Sequence, residues 1–155
     1  MRKPVEIPRR LILSLVGAGV VLVPAFWPRR VPGAEPIPQP SESTPEAFID
    51  RAYAMRKLAV DTGDQPYGAI VVRDGRIIGQ AASHVVVHGD PTAHAEMEAI
   101  RDAAKRTGSR HLSGAILYSS SHPCAMCEAA AYWAGIDRMV HGRGASDAGA
   151  PSLCG

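Results

Sequence analysis

The sequence predicts a layered α/β domain with a mixed sheet, and three observations carry that reading. Asp74-Gly75 joins two β-branched runs, two helical stretches open on capping chemistry and close on glycine, and a short apolar strand, a helix and another strand succeed one another late in the chain. At 155 residues the chain is about one domain long, with the apolar and charged fractions of an ordinary globular protein.

Each element has a local reason. Thr44 as N-cap and Pro45 at the first helical position start a helix whose apolar positions Phe48, Ala52, Met55 and Ala59 recur at helical spacing. YGAIVVRDGRIIGQ reads as an antiparallel hairpin, because both central residues of a type I′ turn need positive φ and Asp-Gly supplies them. Asp90-Pro91-Thr92 opens a second helix, AHAEMEAIRDAAKR, which Gly108 closes. GAILYS is a short strand, PCAMCEAAAYWA a helix from Pro123 to Gly135 with His122 at the N-cap position, and RMVH a further strand. Strand, helix and strand in that order imply a parallel crossover.

The first thirty positions stand apart. They hold Arg2, Lys3, Arg9, Arg10, Arg29 and Arg30 against the single acid Glu6, so the remainder carries 11 basic and 14 acidic side chains. A body of that sign does not look like a binder of nucleic-acid backbone and suits a small neutral substrate. After Arg9-Arg10 comes LILSLVGAGVVLV, an apolar run of 13 residues. That is the size of a signal-peptide core and short of the ~20 residues of a membrane span. Residues 1–30 are therefore expected to be a signal peptide or membrane anchor. The chain is expected to be exported, periplasmic or membrane-anchored facing outward, touching a membrane only through this segment. Arg9-Arg10 resembles a twin-arginine signal, a route that carries proteins already folded and metal-loaded. VPGAEPIPQPSESTP is too rich in proline for a helix or central strand, so residues 31–43 read as a linker and residues 44–155 as the domain.

His94 and Glu96 fall in the first turn of the second helix, and Cys124 and Cys127 in the first turn of the third. Each helix follows a strand, so both openings can meet at one edge of the sheet, where α/β proteins place their sites. The spacing i, i+3 sets both sulfurs on one helical face, and a helix N-terminus favours the thiolate form that binds metal. One nitrogen and two sulfurs suit tetrahedral zinc, one per chain, with a fourth position left for water. Glu96, two residues from a ligand, can take a proton from that water and return it to a ring nitrogen. The pattern H-x-E followed by P-C-x-x-C is that of zinc nucleobase deaminases.

DPTAHAEMEAIRDA and PCAMCEAAAYWAGIDR together resemble the cytidine-deaminase superfamily, within it the guanine-deaminase and tRNA-adenosine-deaminase branch, from about Thr44 to Asp147. The resemblance implies a three-layer α/β/α fold with a mixed sheet of about five strands, shortened at the C-terminus. It implies zinc on His94, Cys124 and Cys127, and proton transfer by Glu96. It places an asparagine at the end of the second strand to hold the base, where this chain has Ser83 or His84, and sets the segment of Tyr67 against the substrate. The N–H after His94, that of Ala95, helps orient the base. Guanine deaminases carry an acidic residue just before the Pro-Cys; here His122 stands there, expected to contact substrate or relay protons. Members of this type are commonly dimers, so a homodimer is expected.

The function expected is hydrolytic deamination of a small nucleobase or nucleoside, guanine-like by resemblance, with no nucleic-acid partner. The alternatives are a tRNA adenosine deaminase and a zinc-stabilised binding module without catalysis. A closed structural zinc site needs a fourth ligand, for which Cys154, His122 and His111 are the reasonable donors.

Overall fold

The computed structural model of the chain describes residues 35–153. The expected signal peptide or anchor, and Cys154, lie outside them. Five strands form one sheet in the order β2-β1-β3-β4-β5: β1 (Gly68–Arg73), β2 (Arg76–Ala82), β3 (Ala115–Ser119), β4 (Arg138–His141) and β5 (Ser146–Gly149). Only β3 and β4 run parallel; the other pairs are antiparallel. The helices are α1 (Pro45–Asp61), α2 (Val85–His88), α3 (Ala95–Thr107) and α4 (Ala125–Ala134).

Alternation along the strands splits the core into two halves. Ala69, Val71, Leu117 and Met139 face α3 and α4, packing on Ala95, Ala99, Ala103, Ala131 and Ala134. Ile70, Val72, Tyr118 and Val140 face α1, packing on Phe48, Ile49 and Met55. The layers are helix, sheet, helix, as the resemblance implies. Two glycines set how close the layers come. A Cβ on Gly68 would lie 2.2 Å from the Arg56 backbone nitrogen of α1, and one on Gly79 would lie 2.5 Å from that of Ala103 in α3.

Most elements follow their local signals. Thr44 Oγ1 accepts the N–H of Ala47 at 3.2 Å to start α1. Asp74 and Gly75 both take positive φ, 52° and 69°, in the hairpin turn. Gly108 and Gly135 close α3 and α4 in the left-handed region.

Four features differ from expectation or go beyond it. Cys124, not His122, is the N-cap of α4: it is extended, and its carbonyl accepts the first helical bond, from Glu128 N at 2.9 Å. Pro123 therefore precedes the helix, and His122 sits in the loop before it. Val85-Val86-Val87 has the composition of a strand but forms the single turn α2. The Asp64 carboxylate, from the end of α1, accepts the N–H of both Val86 and Val87 at 2.9 Å. β5 adds a fifth strand by pairing back on β4, and Arg143 in the turn between them lies 4.0 Å over the ring of Tyr53, pinning that turn to α1.

The fourth feature is the proline-rich stretch, whose described part is built into the domain. Ile37 is buried in the α1-side core, and Gln39 imitates a strand along the free edge of β2. Its amide accepts the Ile77 N–H at 2.8 Å and donates to the Ile77 carbonyl at 3.0 Å. Asp102 of α3 takes the N–H of Gln80 on the same edge, so the strand offers little to a stray pairing partner.

Candidate metal centre

The openings of α3 and α4 meet at the end of the sheet where β3 stops. His94 is the N-cap of α3, Cys124 is the N-cap of α4, and Cys127 is three residues further on. Caps are where the chain turns from extended to helical, so their side chains stand forward of the helix and can converge. His94 Nδ1 lies 3.7 Å from Cys124 Sγ and 3.6 Å from Cys127 Sγ, and the two sulfurs are 3.7 Å apart.

Those three distances test the metal. Zn–S of about 2.3 Å and Zn–N of about 2.1 Å at tetrahedral angles give ligand edges of about 3.6 to 3.8 Å. The triangle matches with no rearrangement. Among the described residues no fourth His, Cys, Asp or Glu donor joins the group, so one vertex is open. His122 and His111, weighed as fourth donors, stand outside it. The Cys127 thiol makes the same case electrostatically. Burial, then the neighbouring Glu96 and Cys124, push its pKa far up, so without a cation it stays protonated. A divalent ion reverses that balance.

Glu96, in the first turn of α3 and only 4% exposed, lies beside the triangle. One carboxylate oxygen, Oε2, is 3.6 Å from Cys127 Sγ; the other, Oε1, accepts a 2.6 Å hydrogen bond from the Ser119 hydroxyl at the end of β3. Sequence reasoning passed over Ser119. The signal was one polar residue closing the otherwise apolar strand Ala115–Ser119.

The remaining candidates fall at different distances from this centre. Ala95 begins α3, fully buried, directly after His94. His122 is exposed in the loop before Cys124; its Nδ1 is 2.8 Å from the Pro123 carbonyl, and its ring meets that of His141 at the end of β4, another residue the sequence did not single out. Tyr67 is 40% exposed just ahead of β1, and its carbonyl accepts the N–H of Ser83 at 3.0 Å. Ser83 itself is fully buried, with its hydroxyl turned toward Asp64 and completing no well-formed hydrogen bond. The backbone of His84 is tied to the Ala93 carbonyl next to His94, but its ring stacks on His88. That ring lines a cleft of about 310 Å³ with Met55, Leu58, Gln80 and Asp102, which includes none of the metal ligands.

Comparison with known proteins agrees with this geometry. Residues 42–143 match the cytidine and deoxycytidylate deaminase zinc-binding region. A guanine deaminase of Bacillus subtilis is 46% identical over 90 residues, covering 57% of this chain and 58% of that protein. A tRNA-specific adenosine deaminase of Aquifex aeolicus is 40% identical over 95 residues, covering 61% of this chain and 63% of that protein. The chain thus spans about three fifths of the length of these relatives. The X-ray structure of guanine deaminase from Bacillus subtilis superposes with a TM-score of 0.60 at 42% identity, over 62% of each chain. These relatives overturn the expectation of an exported or membrane-anchored protein. They are named for a purine base and for tRNA, and nothing in them points to export; among the described residues no helix is long and apolar enough to cross a membrane. The signal-peptide, twin-arginine and anchor readings of residues 1–30 fall on positions outside both the described residues and the family match.

Proposed function

The chain belongs to the cytidine and deoxycytidylate deaminase zinc-binding family, and from that premise we propose that it is a hydrolytic deaminase of a small nucleobase or nucleoside, a guanine-like purine above others, releasing ammonia. One observation carries the reading: a tetrahedral set of one nitrogen and two sulfurs with an open vertex, and a buried carboxylate beside it that is not a ligand.

His94, Cys124 and Cys127 hold the zinc, which when bound supplies a Lewis acid that brings water toward ionisation near neutral pH. Glu96 takes a proton from the attacking water at Oε2 and delivers it to the ring nitrogen next to the amino-bearing carbon. Oxygen replaces nitrogen on that carbon, and the amino group leaves as ammonia after a second proton transfer through the same carboxylate. The N–H of Ala95, in the first turn of α3 and without an intrahelical acceptor, orients the base. His122 touches the substrate or relays protons from the loop before α4. Tyr67, 40% exposed just ahead of β1, supplies part of the remaining wall, whereas Ser83 is fully buried and His84 lines a cleft apart from the metal ligands. A homodimer belongs to the same proposal, supported by Tyr132 and Trp133, 46% and 69% exposed side by side on α4; a monomer by light scattering at micromolar concentration would remove it.

The test is ammonia release from a panel of free bases and nucleosides by the zinc-loaded protein, with Glu96→Ala in parallel. Glu96→Ala keeps its metal and loses ammonia release; an unchanged rate removes the assignment and leaves a zinc-stabilised binding module. The similarity to tRNA-specific adenosine deaminases supports a second reading, action on an adenosine within RNA. A steep loss of RNA binding with added salt favours that reading, and a flat titration favours the free base.

A further inference from the structure

Ser119 is fully buried at the end of β3; its hydroxyl donates its proton to Glu96 Oε1 at 2.6 Å, and its oxygen accepts the Ser121 N–H at 3.5 Å. The neighbouring serine does other work: Ser120 Oγ accepts the Gly68 N–H at 3.1 Å, tying β1 to the end of β3. A hydroxyl has one proton to donate, so it fixes one oxygen of the carboxylate and not the other. The other oxygen, Oε2, accepts the Cys127 thiol at 3.6 Å, a weak contact that ends when the sulfur binds metal as a thiolate. Yet Glu96 does not join the donors that lie within 4.8 Å of one another, so the carboxylate sits next to the metal set without entering it.

That placement needs a restraint. A buried carboxylate seeks a charge partner, and an open position on zinc, which binds carboxylate oxygen at about 2.0 to 2.2 Å, is the strongest one nearby. Among the described residues the Ser119 hydroxyl is the hydrogen-bond donor that opposes it on Oε1. Resting on the deaminase reading, we propose that Ser119 is a positioning residue: it tethers Glu96 beside the metal and off it, so that the fourth coordination position stays open to water and Oε2 stays free to move protons. Removing the hydroxyl leaves Oε1 buried and unpaired, and the carboxylate relaxes onto the cation.

The experiment loads the full-length protein with cobalt(II) in place of zinc and records its visible absorption, which reports the ligand set directly. The same variants in zinc form are assayed on guanine. Ser119→Ala keeps one metal per chain, changes the cobalt spectrum, and lowers kcat by about tenfold to a hundredfold with KM little altered, the usual cost of losing a group that orients a metal-site residue. Ser119→Thr, which keeps the hydroxyl, restores spectrum and rate. Should the smaller side chain impair folding, Ser119→Val against Ser119→Thr isolates the hydroxyl at constant shape. A cobalt spectrum identical in wild type, Ala and Val overturns the tether whatever the rate does. A spectrum that changes while wild-type protein releases no ammonia from any base overturns the deaminase reading instead.

Discussion

The imidazole rings of His122 and His141 meet edge to face with centroids 4.6 Å apart, joining the loop before α4 to the end of β4 beside the metal ligands. A carbonyl only accepts, so the 2.8 Å contact of His122 Nδ1 with the Pro123 oxygen places the ring proton on Nδ1 and leaves Nε2 of the neutral ring as an acceptor. Burial first, and then the unfavourable meeting of two imidazolium charges with His122, lower the pKa of His141 below its ordinary value. His122→Ala should lower kcat/KM by about tenfold or more while zinc content holds. His141→Ala, which removes only the surface the ring rests on, should cost less. Steady-state ammonia release decides it: unaltered kcat/KM in His122→Ala removes His122 from the reaction.

Asp64 is the second relationship the fold depends on, because it binds the end of α1 to α2, some twenty residues further along the chain, with no local sequence signal to announce it. Burial alone raises its carboxyl, but the N–H of Val87, the Ser83 hydroxyl turned toward it, and the N–H groups of Gln65 and Val86 outweigh that and hold its pKa down at about 2. The folded value lies below the unfolded one of about 3.9, so the carboxylate stabilises the fold above that pH, and the contribution fades as pH falls toward about 2. Asp64→Asn should therefore melt below wild type at neutral pH, with the gap closing under acid. Paired thermal melts from neutral to acid check it, since loss of zinc is common to both proteins; a gap independent of pH contradicts the role.

The elements that could be read from the sequence are those whose stop and start signals are local. Thr44 and Pro45, Asp74-Gly75, Gly108 and Gly135 each dictate backbone conformation at their own position, and each element appears where they place it. α2 was illegible because three valines say strand and the group that makes them helical is Asp64. β5 was illegible because Ser146-Asp147-Ala148-Gly149 has no strand pattern; it forms by lying against β4. Ile37 and Gln39 looked like linker because prolines surround them, and only the folded edge of β2 shows what they pair with. In the site, the three ligands were legible from spacing and residue type. Ser119 and His141 were not, since a serine or histidine at a strand end has no meaning until another element brings Glu96 or His122 to it.

Zinc binding should release protons. The Cys127 thiol, pushed up by burial and by Glu96 and Cys124, stays protonated at pH 7 until the metal arrives. Calorimetric titration of metal-free protein in buffers of different ionisation enthalpy should count at least one proton released per zinc. The apparent affinity should then weaken by at least about tenfold for each pH unit lowered. Chelation should also lower the melting temperature, because the metal stabilises only the folded chain. No proton release would mean that Cys127 is already ionised in the metal-free state.

Gly79 decides how α3, with His94 and Glu96 at its start, rests on the sheet that carries α4 on the same face. A Cβ there would lie 2.5 Å from the Ala103 backbone nitrogen and 2.6 Å from the Ala99 carbonyl oxygen, and neither backbone atom can rotate aside as a side chain would. Ala99 and Ala103 have no exposed surface, so the helix can relieve the clash only by moving off β2. Overpacking of this kind costs about 1 to 3 kcal/mol, on the order of several degrees in melting temperature for a domain of this size. The site should suffer more than the fold, because a shift of α3 carries one zinc ligand and the proton-transfer carboxylate away from the two cysteines on α4. Gly79→Ala should therefore lower both the melting temperature and the zinc retained against a chelator. Gly144→Ala, where the new Cβ meets only Ser146 Oγ at 3.8 Å, should leave both near wild type. If the two variants behave alike, the close contact at Gly79 is not what sets the separation of His94 from Cys124 and Cys127.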